Sequence, residues 1–249
     1  MKKRRGNTRY FAIFTLVIIA AVIIIKLSSV LLHNLDIFLI KDIQFNGNIT
    51  INEDCLINAG SELIGKNLFH ISESEIKKLF NAISRLEDLE ISRRFPGKLL
   101  ITIIERIPVF QIKTIDGKIK LVDDKGFMVS ESETSLLENL PIISLSVDYD
   151  SLAYGKKVND PFLNFLLNYH KNIKQIEPDF YDYISEIFPI KENICVVEYQ
   201  KGYRVIIDRD DFLNGISEFM DIKNTCSFDS DTIIDMTYEN NYLVTRRGN

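Results

Sequence analysis

Between Tyr10 and Leu32 the chain carries a nearly continuous apolar run, broken by one charge, Lys26, and by the hydroxyls of Thr15, Ser28 and Ser29. As a helix these residues would extend roughly 34 Å, enough to cross a hydrocarbon core of about 30 Å. Lys26 lies near the distal end, where its stem can run along the helix and carry the ammonium to the headgroups. A cleaved signal peptide would have an apolar region of about 7–15 residues followed by a small-x-small site. Leu27-Ser28-Ser29-Val30-Leu31 offers no such site, so the run reads as an uncleaved anchor over residues 10–32. Lys2, Lys3, Arg4, Arg5 and Arg9 cluster before it, whereas His33 and Asp36 follow it. That asymmetry predicts a cytoplasmic tail, residues 1–9, and a type II, single-pass protein of the cytoplasmic (inner) membrane, with the rest of the chain periplasmic or extracellular. No later stretch is long and apolar enough to cross back.

The net charge is −5, and because basic residues concentrate before Asp36, the remainder is more acidic than that figure. Nucleic-acid binding needs clustered Lys and Arg to displace counterions from phosphate, so this class is set aside. The three cysteines, Cys55, Cys195 and Cys226, are far apart, without CxxC or a histidine at ligand spacing. Zinc patterns and a dense disulfide scaffold are thereby excluded. Lone buried thiols are expected, with a Cys195–Cys226 bridge left open.

The first part of the ectodomain reads strand, helix, helix, strand, strand. Ile40 to Asn46 alternates and ends at Asn46-Gly47-Asn48. Thr50 and Glu53 have capping-box spacing ahead of a stripe of Ile51, Cys55, Leu56 and Ala59, with Gly60 as the stop. Ser72 and Glu75 repeat the pattern ahead of Ile76, Leu79, Phe80 and Ile83. Leu89 to Arg94 and Leu99 to Glu105 are strands separated by Phe95-Pro96-Gly97. The expected solution is a small sheet covered by both helices. Beyond Pro108 the periodicity is mostly strand-like. Val109 to Thr114 and Lys118 to Val122 flank the hairpin signal Asp116-Gly117. Phe162 to His170 has helical spacing, and Ile194 to Tyr199 pairs with Tyr203 to Ile207 across Gln200-Lys201-Gly202. Asp211 is placed to cap a last helix bearing Phe212, Leu213, Ile216, Phe219 and Met220. Thr232 to Met236 and Tyr242 to Thr245 form a closing hairpin or one bent strand.

Several of these segments carry a resemblance. Ile40 to Asn48, Gly65-Lys66-Asn67-Leu68-Phe69, Arg93 to Leu99 and Ile103 to Val109 resemble the POTRA domain of the FtsQ/DivIB bacterial cell-division proteins. Leu121 to Phe127, Leu140-Pro141 and Ile233 to Tyr238 resemble later motifs of the same family, so the likeness runs nearly the length of the chain. It implies an α+β protein: a single N-terminal transmembrane helix, a POTRA domain (β-α-α-β-β) over 40–107, then a mostly antiparallel β-domain with two helices over 108–249. It implies a non-enzymatic scaffold of the divisome, at the septum, that binds FtsB/FtsL-type proteins by strand addition and helps regulate septal peptidoglycan synthesis. The family's docking strand maps onto Asp235, Met236, Thr237, Tyr238, Glu239, Asn240, Asn241, Tyr242, Leu243 and Val244. One departure stands out: Thr237 occupies the position of a family Arg, so a salt bridge attributed to that position cannot form here. The chain has no Trp, which leaves Tyr238 or Tyr242 as any aromatic anchor.

Sites for chemistry are sparse. Gly60 to Lys66 matches the opening of a phosphate-binding loop, but Asn67 replaces the magnesium hydroxyl and the stretch follows a helix. His33, His70 and His170 accompany no GxSxG or other nucleophile motif. Asp123/Asp124 and Asp210/Asp211 fit turn and helix-start roles, Asp229-Ser230-Asp231 lacks the rest of a calcium loop, and Asn48-Ile49-Thr50 reads as turn and cap. No catalytic residue, metal ligand, cofactor or small-molecule substrate is expected. From the residues alone, the closing strands either complete the core or offer an open edge to a partner. Two other classes remain: a POTRA-containing assembly or secretion component, for which the remaining length leaves no room for a membrane barrel, and an anchored extracytoplasmic enzyme, which would need convergent titratable groups.

Overall fold

The computed structural model describes residues 7–33, 36–130, 140–238 and 241–246. Residues 1–6 of the expected basic tail lie outside them. The chain divides into two compact units, one of Met1–Asn48, Asn52–Phe80 and Asp88–Ile104, the other of Ile49–Ile51, Asn81–Glu87 and Glu105–Asn249.

The first unit opens with helix α1 (Asn7–His33). Its stretch Tyr10–Leu27 is long and apolar enough to cross a membrane, and none of it is buried within the protein. The expected order follows: β1 (Asp42–Asn46), α2 (Glu53–Gly60), α3 (Glu73–Phe80), β2 (Leu86–Arg94) and β3 (Lys98–Glu105). The sheet order is β1-β3-β2, with β1 parallel to β3 from Asp42 opposite Lys98 to Asn46 opposite Thr102. Leu56 of α2, Ile76 and Phe80 of α3, and Leu89, Leu99 and Ile101 of the strands are buried. The second capping box forms as spaced: the Glu75 carboxylate accepts from Ser72 N at 2.8 Å, and Glu75 N donates to Ser72 Oγ at 3.2 Å.

The first capping box does not form, because Thr50 is engaged elsewhere. In the second unit the Glu105 carboxylate accepts the amides of Ile49 (2.7 Å), Thr50 (3.0 Å) and Ile51 (2.9 Å), together with the Thr50 hydroxyl. Asn52 becomes the N-cap of α2 instead, accepting from Asp54 N at 2.8 Å. Burial opposes the charge on Glu105, but these bonds outweigh it and hold its pKa below the usual range.

The second unit is built on β4 (Pro108–Lys113), β5 (Ile119–Asp123), β6 (Met128–Val129), β7 (Ile142–Ser144), α4 (Pro161–Ile176), β8 (Ile184–Ile190), β9 (Asn193–Glu198), β10 (Arg204–Ile207), α5 (Phe212–Thr225), β11 (Thr232–Tyr238) and β12 (Asn241–Arg246). Nine strands form one sheet in the order β12-β11-β10-β9-β8-β7-β4-β5-β6. The sheet is mixed. Antiparallel pairings predominate, but β4–β7, β7–β8 and β10–β11 are parallel. Strands β6, β7 and β8 are additional to the sequence reading: β6 and β7 have only two and three residues to show a period, and β8 contains Pro189.

Asp160 caps α4, its carboxylate accepting Phe162 N at 2.9 Å and Leu163 N at 2.8 Å, with Pro161 in the first turn. Asp211 stands at the N-cap of α5 as expected, but its carboxylate accepts from Asn214 Nδ2 at 2.6 Å rather than from a backbone amide. Leu163, Leu166 and Ile173 of α4, and Phe212, Ile216 and Phe219 of α5, share one core with Phe110, Val196, Val205 and Ile234 of the sheet. Gly215 permits the approach of α5, since a Cβ there would lie 2.3 Å from Ile207 Cγ2.

Candidate partner-binding edge

The two ends of the nine-stranded sheet are built differently. At one end β6 has two residues, both buried, and a neighbouring segment covers it. Met128 N donates to Lys156 O at 2.9 Å, Gly155 N to Met128 O at 2.8 Å and Val158 N to Gly126 O at 2.9 Å. At the other end β12 is six residues long and, among the described residues, has β11 as its one sheet neighbour. A strand placed this way presents backbone donors and acceptors on its outer side.

The side chains sort the closing hairpin into two roles. On β11, Thr232, Ile234 and Met236 are buried and belong to the core face. On β12, both faces are open: Tyr242 and Leu243 are 50% exposed and Val244 is 45% exposed. Tyr238, at the end of β11, is 55% exposed. Core completion and open edge, left as alternatives by the sequence, therefore fall on successive strands.

The hairpin is antiparallel, with Ile233 opposite Thr245, Ile234 opposite Val244 and Asp235 opposite Leu243, then a register shift before Tyr238 meets Asn241. Asp235 shapes the irregular stretch. Its Oδ1 accepts Thr237 N at 3.1 Å and Thr237 Oγ1 at 2.7 Å, a local side-chain-to-backbone turn. Thr237 is thus tied to its own strand. Glu239 and Asn240 of the expected docking stretch lie outside the described residues, and of Asn241 only the backbone is described. Arg246 and Asp229 approach to 3.9 Å, both well exposed, where an ion pair contributes little.

The remaining candidates are structural. His170 is buried on α4, its Nδ1 3.2 Å from the Tyr181 hydroxyl and its ring edge-on to Phe110 at 5.1 Å. Burial, with Lys174 nearby, pushes its pKa down to about 4, so it is neutral at ordinary pH. His70 is exposed in the loop before α3, and the His33 side chain lies outside what is described. All three cysteines are free. The expectation of buried thiols holds for Cys195 alone, whose pKa burial raises to about 11. Cys55 lies on the solvent side of α2 and Cys226 at the C-cap of α5, both exposed. Gly60 ends α2 and a 3-10 turn, Ser61–Leu63, follows, so the stretch before Lys66 has no strand-to-helix phosphate cradle.

One polar constellation was not visible in the sequence. Asp123, read as a turn residue, accepts Lys125 N (2.9 Å) and Phe127 N (2.7 Å), but it also pairs with Arg106 at 2.6 Å. The Asp123 side chain is buried and that of Arg106 is 11% exposed, and the Arg106 guanidinium lies over the Phe127 ring at 4.1 Å. No spacing rule links positions 106 and 123; only the folded β4–β5 hairpin does.

Residues 38–106 match the FtsQ-type POTRA domain. The chain is similar to the cell division protein DivIB of Paenibacillus polymyxa (strain E681), 26% identical over 105 residues, which are 42% of this chain and 41% of the relative. It is similar to DivIB of Clostridium tetani (strain Massachusetts / E88), 21% identical over 123 residues, 49% of this chain and 45% of the relative. The cell division protein FtsQ of Rickettsia bellii (strain RML369-C) is 22% identical over 121 residues, 49% of this chain and 43% of the relative. The chain thus spans about half the length of the curated relatives it matches.

Proposed function

We propose that the chain, with its FtsQ-type POTRA match and its similarity to DivIB and FtsQ proteins, is a member of the FtsQ/DivIB family: a non-enzymatic, single-pass scaffold of the divisome that captures FtsB/FtsL-type partners by strand addition at β12. Helix α1 would anchor it with the amino terminus in the cytoplasm and the two units outside, at the septum. The POTRA domain, residues 40–107, would recruit and localise; the β-domain, residues 108–249, would hold the partners and through them regulate septal peptidoglycan synthesis. The observation that carries this reading is β12 itself, a six-residue last strand whose apolar side chains Tyr242, Leu243 and Val244 remain exposed. Main-chain bonds to an added strand would supply affinity, and the pattern of side chains along it specificity. Confinement to one membrane raises the partners' effective concentration, so a modest edge suffices.

The test is hydrogen exchange by mass spectrometry on the full chain in lipid nanodiscs, with and without the extracytoplasmic segment of the organism's FtsB-type protein. Slower exchange confined to β12 and the adjoining turn is the expected result. Saturable binding with unchanged exchange there would move the site elsewhere, and no binding would remove the partner.

A further inference from the structure

The first unit exposes a second apolar surface, at the end of the three-stranded sheet from which β1 starts. Three segments converge there. The stretch entering β1 is flanked on one side by the β2–β3 turn: Lys41 N donates to Gly97 O at 2.8 Å, and a Cβ on Gly97 would fall 2.5 Å from Leu39 O. On its other side runs the loop before α3, with Leu68 N donating to Phe38 O at 2.9 Å, Ile40 N to Lys66 O at 2.9 Å and Gly65 N to Ile40 O at 2.9 Å. Phe38 joins the two flanks, its ring 5.4 Å from Phe69 and 5.8 Å from Phe95. Phe69 is 61% exposed and Phe95 63% exposed, and Ile64, which precedes Gly65 on the same flanking loop, is 52% exposed. Isolated exposed apolar residues are ordinary on protein surfaces, but rings in mutual contact form a patch that calls for a partner.

The chain itself limits where that patch can be. Helix α1 has 27 residues, a length of about 40 Å, which carries its end beyond a hydrocarbon core of about 30 Å into the headgroup layer. Phe38 lies five residues past His33, so even fully extended chain places it within about 18 Å of that end. The charges around the patch fit the same surroundings. Lys41, Lys66 and Arg94 are exposed on the three converging segments; of the acids near them, Asp42 is engaged by Lys98 at 3.4 Å, and Glu75, within electrostatic reach of Lys66, accepts from Ser72 N at 2.8 Å. Aromatic and aliphatic side chains ringed by Lys and Arg suit the interface of an anionic bilayer, where rings enter the headgroup layer and ammonium and guanidinium groups meet phosphates.

We propose that this end of the first unit docks on the lipid surface, with Phe69, Phe95 and Ile64 in the headgroup layer and Lys41, Lys66 and Arg94 against lipid phosphates. The inference rests on the reading of α1 as a membrane anchor. Tethering makes the docking nearly intramolecular, so a small patch is sufficient.

The absence of Trp from the chain provides the probe. Single variants Phe69→Trp and Phe95→Trp of the full chain are reconstituted into phosphatidylglycerol–phosphatidylcholine vesicles containing lipids brominated high on the acyl chain. Phe14→Trp, inside α1, and Ile49→Trp, at an 83% exposed position past the end of β1, serve as membrane and water references. Quenching of Phe69→Trp and Phe95→Trp several-fold above Ile49→Trp is expected. Quenching of both at the level of Ile49→Trp, with Phe14→Trp strongly quenched, would overturn the docking and leave the anchor standing. Shielding of both from aqueous acrylamide without quenching by brominated lipid would mean that protein covers the patch, and would overturn the proposal as well. Absence of quenching at Phe14→Trp would overturn the anchor and the docking with it.

Discussion

The two ends of the nine-stranded sheet show how differently one fold can treat the same hazard. Sheet edges invite unwanted pairing, and proteins blunt them with short strands, charges or covering segments. The β6 end uses both brevity and cover: two buried residues, bonded to the segment around Lys156, above a turn fixed by Asp123. Among the described residues, the β12 end uses neither. Its apolar side chains are interrupted by no charge between Tyr242 and Thr245, and its one basic side chain with a described ion pair, Arg246, stands at the strand's end. A long bare edge is a liability for an isolated molecule and an asset for one that awaits a strand. On this view the β6 end should carry stability, and the β12 end binding.

The largest effect is expected at the covered end, from Asp123→Ala. Asp123 neutralises Arg106 across 2.6 Å in a dry setting and accepts two amides of the turn leading to β6. Without it Arg106 keeps the Phe127 ring but no counter-charge, and its Nε already has no hydrogen-bond partner among the described residues. Breaking a buried pair from one side typically costs about 3–5 kcal/mol, much of it the burden of the orphaned charge. Urea unfolding of the full chain in detergent, followed by circular dichroism, should show a loss of that order, with partner binding retained in the folded fraction. A loss under about 1 kcal/mol, the level of an exposed pair, would mean that water reaches Arg106 and the end is less closed than its burial implies.

How much of this contrast could be read beforehand depends on whether the signal is local. The POTRA-like order of elements, the Ser72–Glu75 capping box and the Asp116-Gly117 hairpin are each specified within a few residues, and each forms. The closing hairpin was legible as strands, and the family likeness pointed to it. Its division into an inward β11 and an open β12 was not, because exposure of an edge depends on which strands lie beside it. Thr50 illustrates the limit from the other side: its spacing to Glu53 is right for a cap, but Glu105, over fifty residues away, takes its hydroxyl. The Arg106–Asp123 pair and the brief β7 have the same character, created by packing that no period in the sequence records.

A smaller, conditional effect follows from His170, which packs under β4 on the covered half. In the unfolded chain a histidine titrates near 6.5, whereas burial holds native His170 neutral until about pH 4. Between these values the unfolded state binds more protons, so stability is fully present above pH ~6.5 and declines as pH falls towards 4. His170→Gln should flatten that slope. Glu105 and Glu186, both held below the usual carboxylate range despite burial, would add their own loss only at still lower pH. An unchanged slope in His170→Gln between neutral pH and pH 5 would assign the acid sensitivity to other groups and remove this distinction between the halves.

The smallest effect on stability, and the sharpest test of the contrast, is expected from Leu243→Lys. Leu243 is half exposed on β12 and lies directly opposite Asp235. A lysine there gives up little buried surface and gains a cross-strand neighbour of opposite charge, so stability should change by no more than about 0.5 kcal/mol. Binding should respond very differently: an incoming strand that covers Leu243 with apolar side chains would have to desolvate an ammonium, and charge placed in a closing interface weakens association steeply. Measured side by side on the full chain, Leu243→Lys should leave the urea midpoint near that of the parent while abolishing saturable binding of the FtsB-type segment. If Leu243→Lys instead unfolds the chain as Asp123→Ala does, β12 is part of the closed core and the two ends are alike. If it leaves both stability and binding intact, the edge is open but idle, and the partner must be sought on another surface.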